Sequence, residues 1–262
     1  MKLAASNIAW NSASDETMYA YLVSSGFEGL EIAPTRIIQD MPYDRLDEAA
    51  CFAQELQARY DLTVCSMQSI WFGRQEQMFH SKEEREILLQ YTKKAIDFAH
   101  VMQCGNVVFG CPKNRVIQER SQYGIAIAFF EELGEYAYRQ NTVLAIEANP
   151  VIYQTNFVNT TQEALQLCRD IGSKGIAVNL DCGTIVQNEE TIQTIAQDIA
   201  LVNHVHVSEP YLAVLENRSL HTELAAILRM AGYQKFVSIE MRQHEDLAGI
   251  KAAIAYVGEI YA

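Results

Sequence analysis

The chain has 262 residues, 49% of them hydrophobic, which is ample for a packed core and too apolar for a disordered chain. Its 20 Lys and Arg stand against 33 Asp and Glu, and a net charge of −13 argues against a general binder of nucleic-acid phosphate. No run approaches the roughly 18 consecutive apolar residues of a membrane span, and Met1–Asn7 lacks the apolar stretch of a signal peptide, so the expectation is a cytoplasmic protein without membrane contact.

Short apolar, β-branched runs alternate with longer amphipathic stretches along the chain. The first run, Leu3–Ala9, precedes a helix over Asp15–Ser25 with Ser14 as its N-cap. Gly29–Ala33 leads into a helix over Asp44–Tyr60. Leu62–Met67 precedes Ser81–Gln103, which opens Ser81-Lys82-Glu83-Glu84 as a capping box does. Asn106–Phe109 is followed by a helix over Ser121–Arg139, and Thr142–Ile146 by one over Thr161–Ile171. Ile176–Leu180 then pairs with a helix over Glu189–Ala200, His204–Val207 with Leu220–Ala231, and Phe236–Ile239 with Asp246–Ile260.

Strands alternating with helices imply βαβ crossovers and a parallel sheet. Eight such units in about 250 residues favour a closed (β/α)8 TIM barrel over an open doubly wound sheet, as one domain spanning 1–262. The nucleotide-binding alternative lacks its phosphate loop, since neither G-x-G-x-x-G after the first strand nor G-x-x-x-x-G-K-[ST] occurs. The six cysteines form no C-x-x-C pair and read as small buried hydrophobes of a reducing compartment.

Polar residues collect at one end of this predicted barrel. Strand five ends in Glu147, strand six in Asp181, strand seven carries His206 and strand eight ends in Glu240, separated by 34, 25 and 34 residues. The C-terminal strand ends line the face on which such barrels build their active sites, so the four side chains converge. Any one of them alone reads as a solvated loop residue, a turn or cap, or a hydrogen-bonded core histidine. Their coincidence on four consecutive strands points to one divalent ion, with Mn²⁺, Mg²⁺, Co²⁺ and Zn²⁺ all suited to three carboxylates and an imidazole. His204 shares a strand face with His206 but lies deeper, where it serves as a donor behind the ligands or as a packed core residue.

Ala145-Ile146-Glu147-Ala148-Asn149-Pro150, Val178-Asn179-Leu180-Asp181-Cys182-Gly183, His204-Val205-His206-Val207-Ser208-Glu209 and Val237-Ser238-Ile239-Glu240 resemble the xylose-isomerase-like barrel superfamily of sugar isomerases and epimerases. The resemblance covers essentially the whole chain. It implies metal-dependent chemistry on a small sugar, sugar phosphate or polyol, with Glu147 and Glu240 as the acid–base pair beside a metal-chelated carbonyl. Ketose 3-epimerases carry a glutamate, a histidine and an arginine where this chain has Tyr153, Thr184 and Leu212. A lyase or dehydratase on the same barrel and a non-catalytic carbohydrate-binding barrel are the alternatives. The endonuclease branch, with its three-metal, histidine-rich site, fits poorly with six histidines and this charge.

Other residues on the mouth-side loops are candidates for holding substrate: Gln68, Trp71, Lys113, Arg115, Asn149, Tyr153, Glu209 and Arg242, with the basic ones suited to a phosphate or carboxylate. Thr184 and His221 are expected, with His204, to support the ligands. Homo-oligomers are common among such barrels, and one is possible here.

Overall fold

The computed structural model describes residues 1–262. Its eight strands are β1 (Lys2–Ser6), β2 (Gly29–Ile32), β3 (Thr63–Met67), β4 (Val107–Phe109), β5 (Leu144–Glu147), β6 (Ile176–Asp181), β7 (Val202–Val207) and β8 (Phe236–Ile239). All neighbours pair in parallel, and β1 pairs with β8 through Ala5 and Ile239, so the sheet closes in chain order. Closure removes every strand edge and puts all eight C-terminal ends at one mouth.

The helices are α1 (Asp15–Ser24), α2 (Pro34–Ile37), α3 (Leu46–Tyr60), α4 (Lys82–Val101), α5 (Tyr123–Arg139), α6 (Thr161–Ile171), α7 (Cys182–Asn188), α8 (Ser219–Met230) and α9 (Leu247–Tyr261). Ser81 caps α4 by accepting from the Glu84 amide, and Thr160 with Glu163 forms a reciprocal capping box on α6. No helix is long and apolar enough to cross a membrane.

Two sequence expectations need correction. Strand β1 stops at Ser6, because Asn7–Ala9 wind into a 3₁₀ turn, and the Asn7 side chain accepts from the Ala33 amide instead of continuing the ladder. After β6 the predicted helix over Glu189–Ala200 is replaced by α7, which starts directly at Cys182, and by two 3₁₀ turns. Asp181 caps α7 by accepting from the Thr184 amide, and Glu189 ends it in the left-handed conformation. Beyond it, Thr191, Ile192, Thr194 and Ile195 are β-branched and weak helix formers, and the Thr194 hydroxyl bonds the Thr191 carbonyl.

The barrel register positions the site. Glu147 lies opposite Asn179, Asp181 opposite His206, and His206 opposite Ser238. The two ladder irregularities fall between Leu30 and Glu31 and between Val178 and Asn179, each beside a buried polar residue of the mouth. A bulge re-aims the side chains that follow it, which is how a regular sheet brings unlike groups to one point.

One close approach at the opposite end is equally specific. A Cβ on Gly175, ahead of β6, would stand 1.9 Å from the Gly134 carbonyl oxygen on α5. The α5 backbone can come this close only because residue 175 has no Cβ. We therefore expect Gly175→Ala to destabilise the fold by about 3 kcal/mol, read as a lowered denaturant midpoint at unchanged m; an unchanged midpoint would contradict this packing.

Candidate metal centre

The four strand-end residues meet. Glu147, Asp181, His206 and Glu240 each offer a donor atom, and these atoms lie within 4.8 Å of one another. His206 is fully buried, with Nδ1 3.0 Å from Glu147 Oε1 and 3.2 Å from Glu240 Oε2. Donors that share a first-row or magnesium ion at about 2.1 Å stand roughly 3.0–3.4 Å apart, so these spacings fit a common cation. Three carboxylates and one imidazole are also the right donors for a hard-to-borderline divalent ion.

Each carboxylate of the cluster is held by neutral donors. Asn179 Nδ2 donates to Glu147 Oε1 at 2.8 Å, and Asn149 Nδ2 to Glu147 Oε2 at 3.0 Å. Gln68 Nε2 reaches Glu240 Oε1 at 2.8 Å. The Ser208 hydroxyl donates to Asp181 Oδ1, while the Thr184 hydroxyl lies 2.8 Å from Oδ2. Behind His206, Nε2 is 2.9 Å from Glu31 Oε2, and His204 Nε2 is 3.1 Å from the same oxygen. Glu31 and Asn179 were given no role in the sequence. The readable signal was a Glu at Glu31 inside an otherwise apolar strand, and an Asn on the strand face of Asp181.

The electrostatics reflect crowded acids. Burial pushes Glu240 up to about 7, with Glu147 and Glu31 adding to the rise against the pull of His206. Burial and Glu147 likewise raise Asp181, although His206, Ser208 and Thr184 oppose them. Burial alone would depress His206, but Glu240, Glu31 and Glu147 hold it well above the usual imidazole range. Burial works to raise Glu31 as well, and the two imidazoles overcome it and hold Glu31 well below the carboxylate range. Burial lowers His204, which favours its neutral form.

The other candidates separate into those that touch the site and those that do not. Gln68, Asn149 and Thr184 contact the carboxylates of the cluster. Tyr153 lies within the field of Asp181, Glu240 and Glu147, and burial chiefly pushes its phenol up to about 12. Its hydroxyl accepts from the Tyr211 amide at 2.7 Å. Trp71 is buried, with Nε1 donating to the Thr92 hydroxyl and its ring edge-on to Phe109 and Phe129, so it anchors its loop. Arg115 is fully buried and donates to the Glu147 carbonyl and to Asn149 Oδ1; it orients Asn149 instead of meeting solvent. Glu209 is bound by Arg218 through two nitrogens, both at 2.7 Å, and His221 pairs with the Tyr256 hydroxyl, so neither touches the cluster. Lys113 and Arg242 are exposed on mouth-side loops with no carboxylate partner.

The model of the xylose isomerase-like TIM barrel family matches residues 19–260. The chain belongs to that family. No curated relative matches the sequence. Among solved structures, apo 3-keto-D-glucoside 4-epimerase YcjR from E. coli superposes with a TM-score of 0.78 at 19% identity, covering 98% of each chain. The IOLI protein with a binding zinc atom gives 0.74 at 15% identity over 100% of both chains. The probable 3-DHS dehydratase AsbF from Bacillus anthracis gives 0.70 at 16% identity, over 99% of this chain and 98% of that one. These likenesses carry the xylose isomerase-like barrel as a fold.

The raised acids set a pH dependence. A carboxyl whose folded pKa lies above its unfolded value favours the fold below that unfolded value and loses this contribution as pH rises through the folded one. For Glu240 the window runs from the ordinary 4.5 to about 7, and the rises at Asp181 and His206 act in the same direction, three groups against the lowered His204, which works the other way. The melting temperature in chelator is therefore expected to fall between roughly pH 5 and 8, and added Mn²⁺ to restore it more at the alkaline end. A metal-free protein that gains stability across that range, or ignores Mn²⁺, would contradict the cluster's electrostatics.

Proposed function

We propose that the chain is a divalent-metal-dependent isomerase or epimerase acting on a small sugar, sugar phosphate or polyol. The observation that carries this reading is the contact of Glu147 and Glu240 with the same His206 nitrogen, at 3.0 and 3.2 Å, inside one four-donor cluster at the barrel mouth. Two carboxylates on neighbouring sides of one small volume are what a proton abstraction followed by a return requires. Glu147, Asp181, His206 and Glu240 would hold the ion, which when bound polarises a substrate carbonyl and acidifies the adjoining C–H.

The chain's own residues then divide the work. One glutamate removes the proton from carbon, and the other delivers it to the opposite face or to the neighbouring carbon. Asn179 and Asn149 hold the two oxygens of Glu147, and Gln68 holds one oxygen of Glu240, so neither base spends reaction time finding its orientation. Tyr153, neutral at physiological pH, accepts from the Tyr211 amide and keeps its own proton for a substrate hydroxyl. The Tyr153 and Tyr211 rings meet edge-on at 5.9 Å and form an aromatic wall suited to a sugar face.

A second reading, dehydration of an acidic substrate, draws on Lys113 and Arg242, whose unpaired charges on the mouth-side loops would receive a carboxylate. Incubating the Mn²⁺-loaded protein with a panel of ketoses, keto-glycosides and hydroxylated cyclic keto-acids in D₂O separates the two. We expect deuterium at the carbon beside the carbonyl, and a loss of about 10²–10⁴-fold in Glu147→Gln and in Glu240→Gln. Undiminished exchange in both variants would remove the acid–base pair. Water loss with a new conjugated absorbance and no label scrambling would instead favour the dehydratase.

A further inference from the structure

We infer that Glu31 is a positioning residue of the metal centre: its buried carboxylate accepts a hydrogen bond from the Nε2–H of His206 and so turns Nδ1 toward Glu147 and Glu240. The inference rests on the metal reading above and concerns a residue that reading does not use.

Glu31 is fully buried on β2, and no lysine or arginine pairs with it. Its hydrogen-bond partners are His206 Nε2 at 2.9 Å and, on the other oxygen, Gln68 Nε2 at 3.3 Å; His204 Nε2 lies 3.1 Å away but out of hydrogen-bond alignment. A carboxylate kept in a barrel interior without a cationic side chain of fixed charge is costly unless its charge is used. What uses it here is an imidazole, which offers one nitrogen to a cation only if the other is held as N–H. Glu31 accepts and cannot donate when ionised, so Nε2 must be the protonated nitrogen.

The surroundings leave the ring little alternative. On the far side Nδ1 lies 3.0 Å from Glu147 Oε1, 3.2 Å from Glu240 Oε2 and 3.1 Å from Asn179 Nδ2. His204 packs perpendicular to His206, with ring centroids 5.3 Å apart at 89°. The ladder irregularity just before Glu31 sets its side chain at this height. Glu31 therefore fixes which nitrogen faces the mouth and makes that nitrogen a stronger donor. The same three groups could instead hold a second ion, with His206 bridging, and the stoichiometry of binding separates the two arrangements.

The test titrates Zn²⁺ into the metal-stripped full chain by calorimetry and records ¹⁵N imidazole spectra of the Zn²⁺-loaded protein. One Zn²⁺ per chain is expected, with His206 metallated at Nδ1 and protonated at Nε2. Glu31→Gln should raise the dissociation constant about 10–100-fold and shift the Nε2 proton resonance upfield. An unchanged constant in folded Glu31→Gln, two Zn²⁺ per chain, or metallation at Nε2 would each overturn the assignment. If Glu31→Gln does not fold, the wild-type spectrum decides through the nitrogen that carries the proton. A wild-type chain that binds no Zn²⁺ removes the metal reading itself, whereas equal binding by wild type and Glu31→Gln removes only the role of Glu31.

Discussion

An excess of buried negative charge at the barrel mouth is the constraint on which the rest of this structure depends. Glu31, Glu147, Asp181 and Glu240 surround one imidazole, and the second imidazole, His204, is driven by burial toward its neutral form. Arg115, a buried cation close by, directs Nη2 at a carbonyl and an amide oxygen, while its Nε and Nη1 meet no acceptor, so it pairs with no carboxylate. The fold therefore neutralises its own cluster only in part, through raised carboxyl groups and a charged His206. Four donors left in this state define a place for a divalent cation more sharply than any one of them does.

That deficit is stable because the scaffold around it is rigid. Closure of eight parallel strands fixes the height of each strand end, and the two ladder irregularities shift Glu31 and Asn179 relative to their neighbours. Neutral amides from Gln68, Asn149 and Asn179 bind the carboxylates without discharging them. A lysine or arginine at any of those positions would have paired the acids permanently and abolished the site's demand for a cation. The contact of Gly134 with Gly175 at the other end packs backbone against backbone just ahead of β6.

The architecture was legible because alternation of apolar runs and amphipathic stretches is a local property repeated eight times. The four-donor cluster was legible because strand ends of such a barrel share one face, so spacing alone brings Glu147, Asp181, His206 and Glu240 together. What sequence did not reveal depends on how a loop returns. Trp71 and Arg115 sit on mouth-side loops, yet both side chains are enclosed, Trp71 by Phe109 and Phe129 and Arg115 by the β5 segment it hydrogen-bonds. Glu209 was drawn away by Arg218, a pairing nine residues along the same loop. Glu31 escaped notice because a lone acid in a short apolar strand gives no sign of facing inward until the strand's neighbours are known. The helix after β6 was misplaced because Asp181 serves twice, as a donor to the cluster and as the cap of α7.

The most direct test is anomalous diffraction from crystals grown with Mn²⁺ or Zn²⁺. This account predicts one strong peak per chain, about 2.0–2.3 Å from carboxylate oxygens of Glu147, Asp181 and Glu240 and from His206 Nδ1. Absence of a peak there, with the four groups hydrogen-bonded directly to one another at saturating metal, would contradict it.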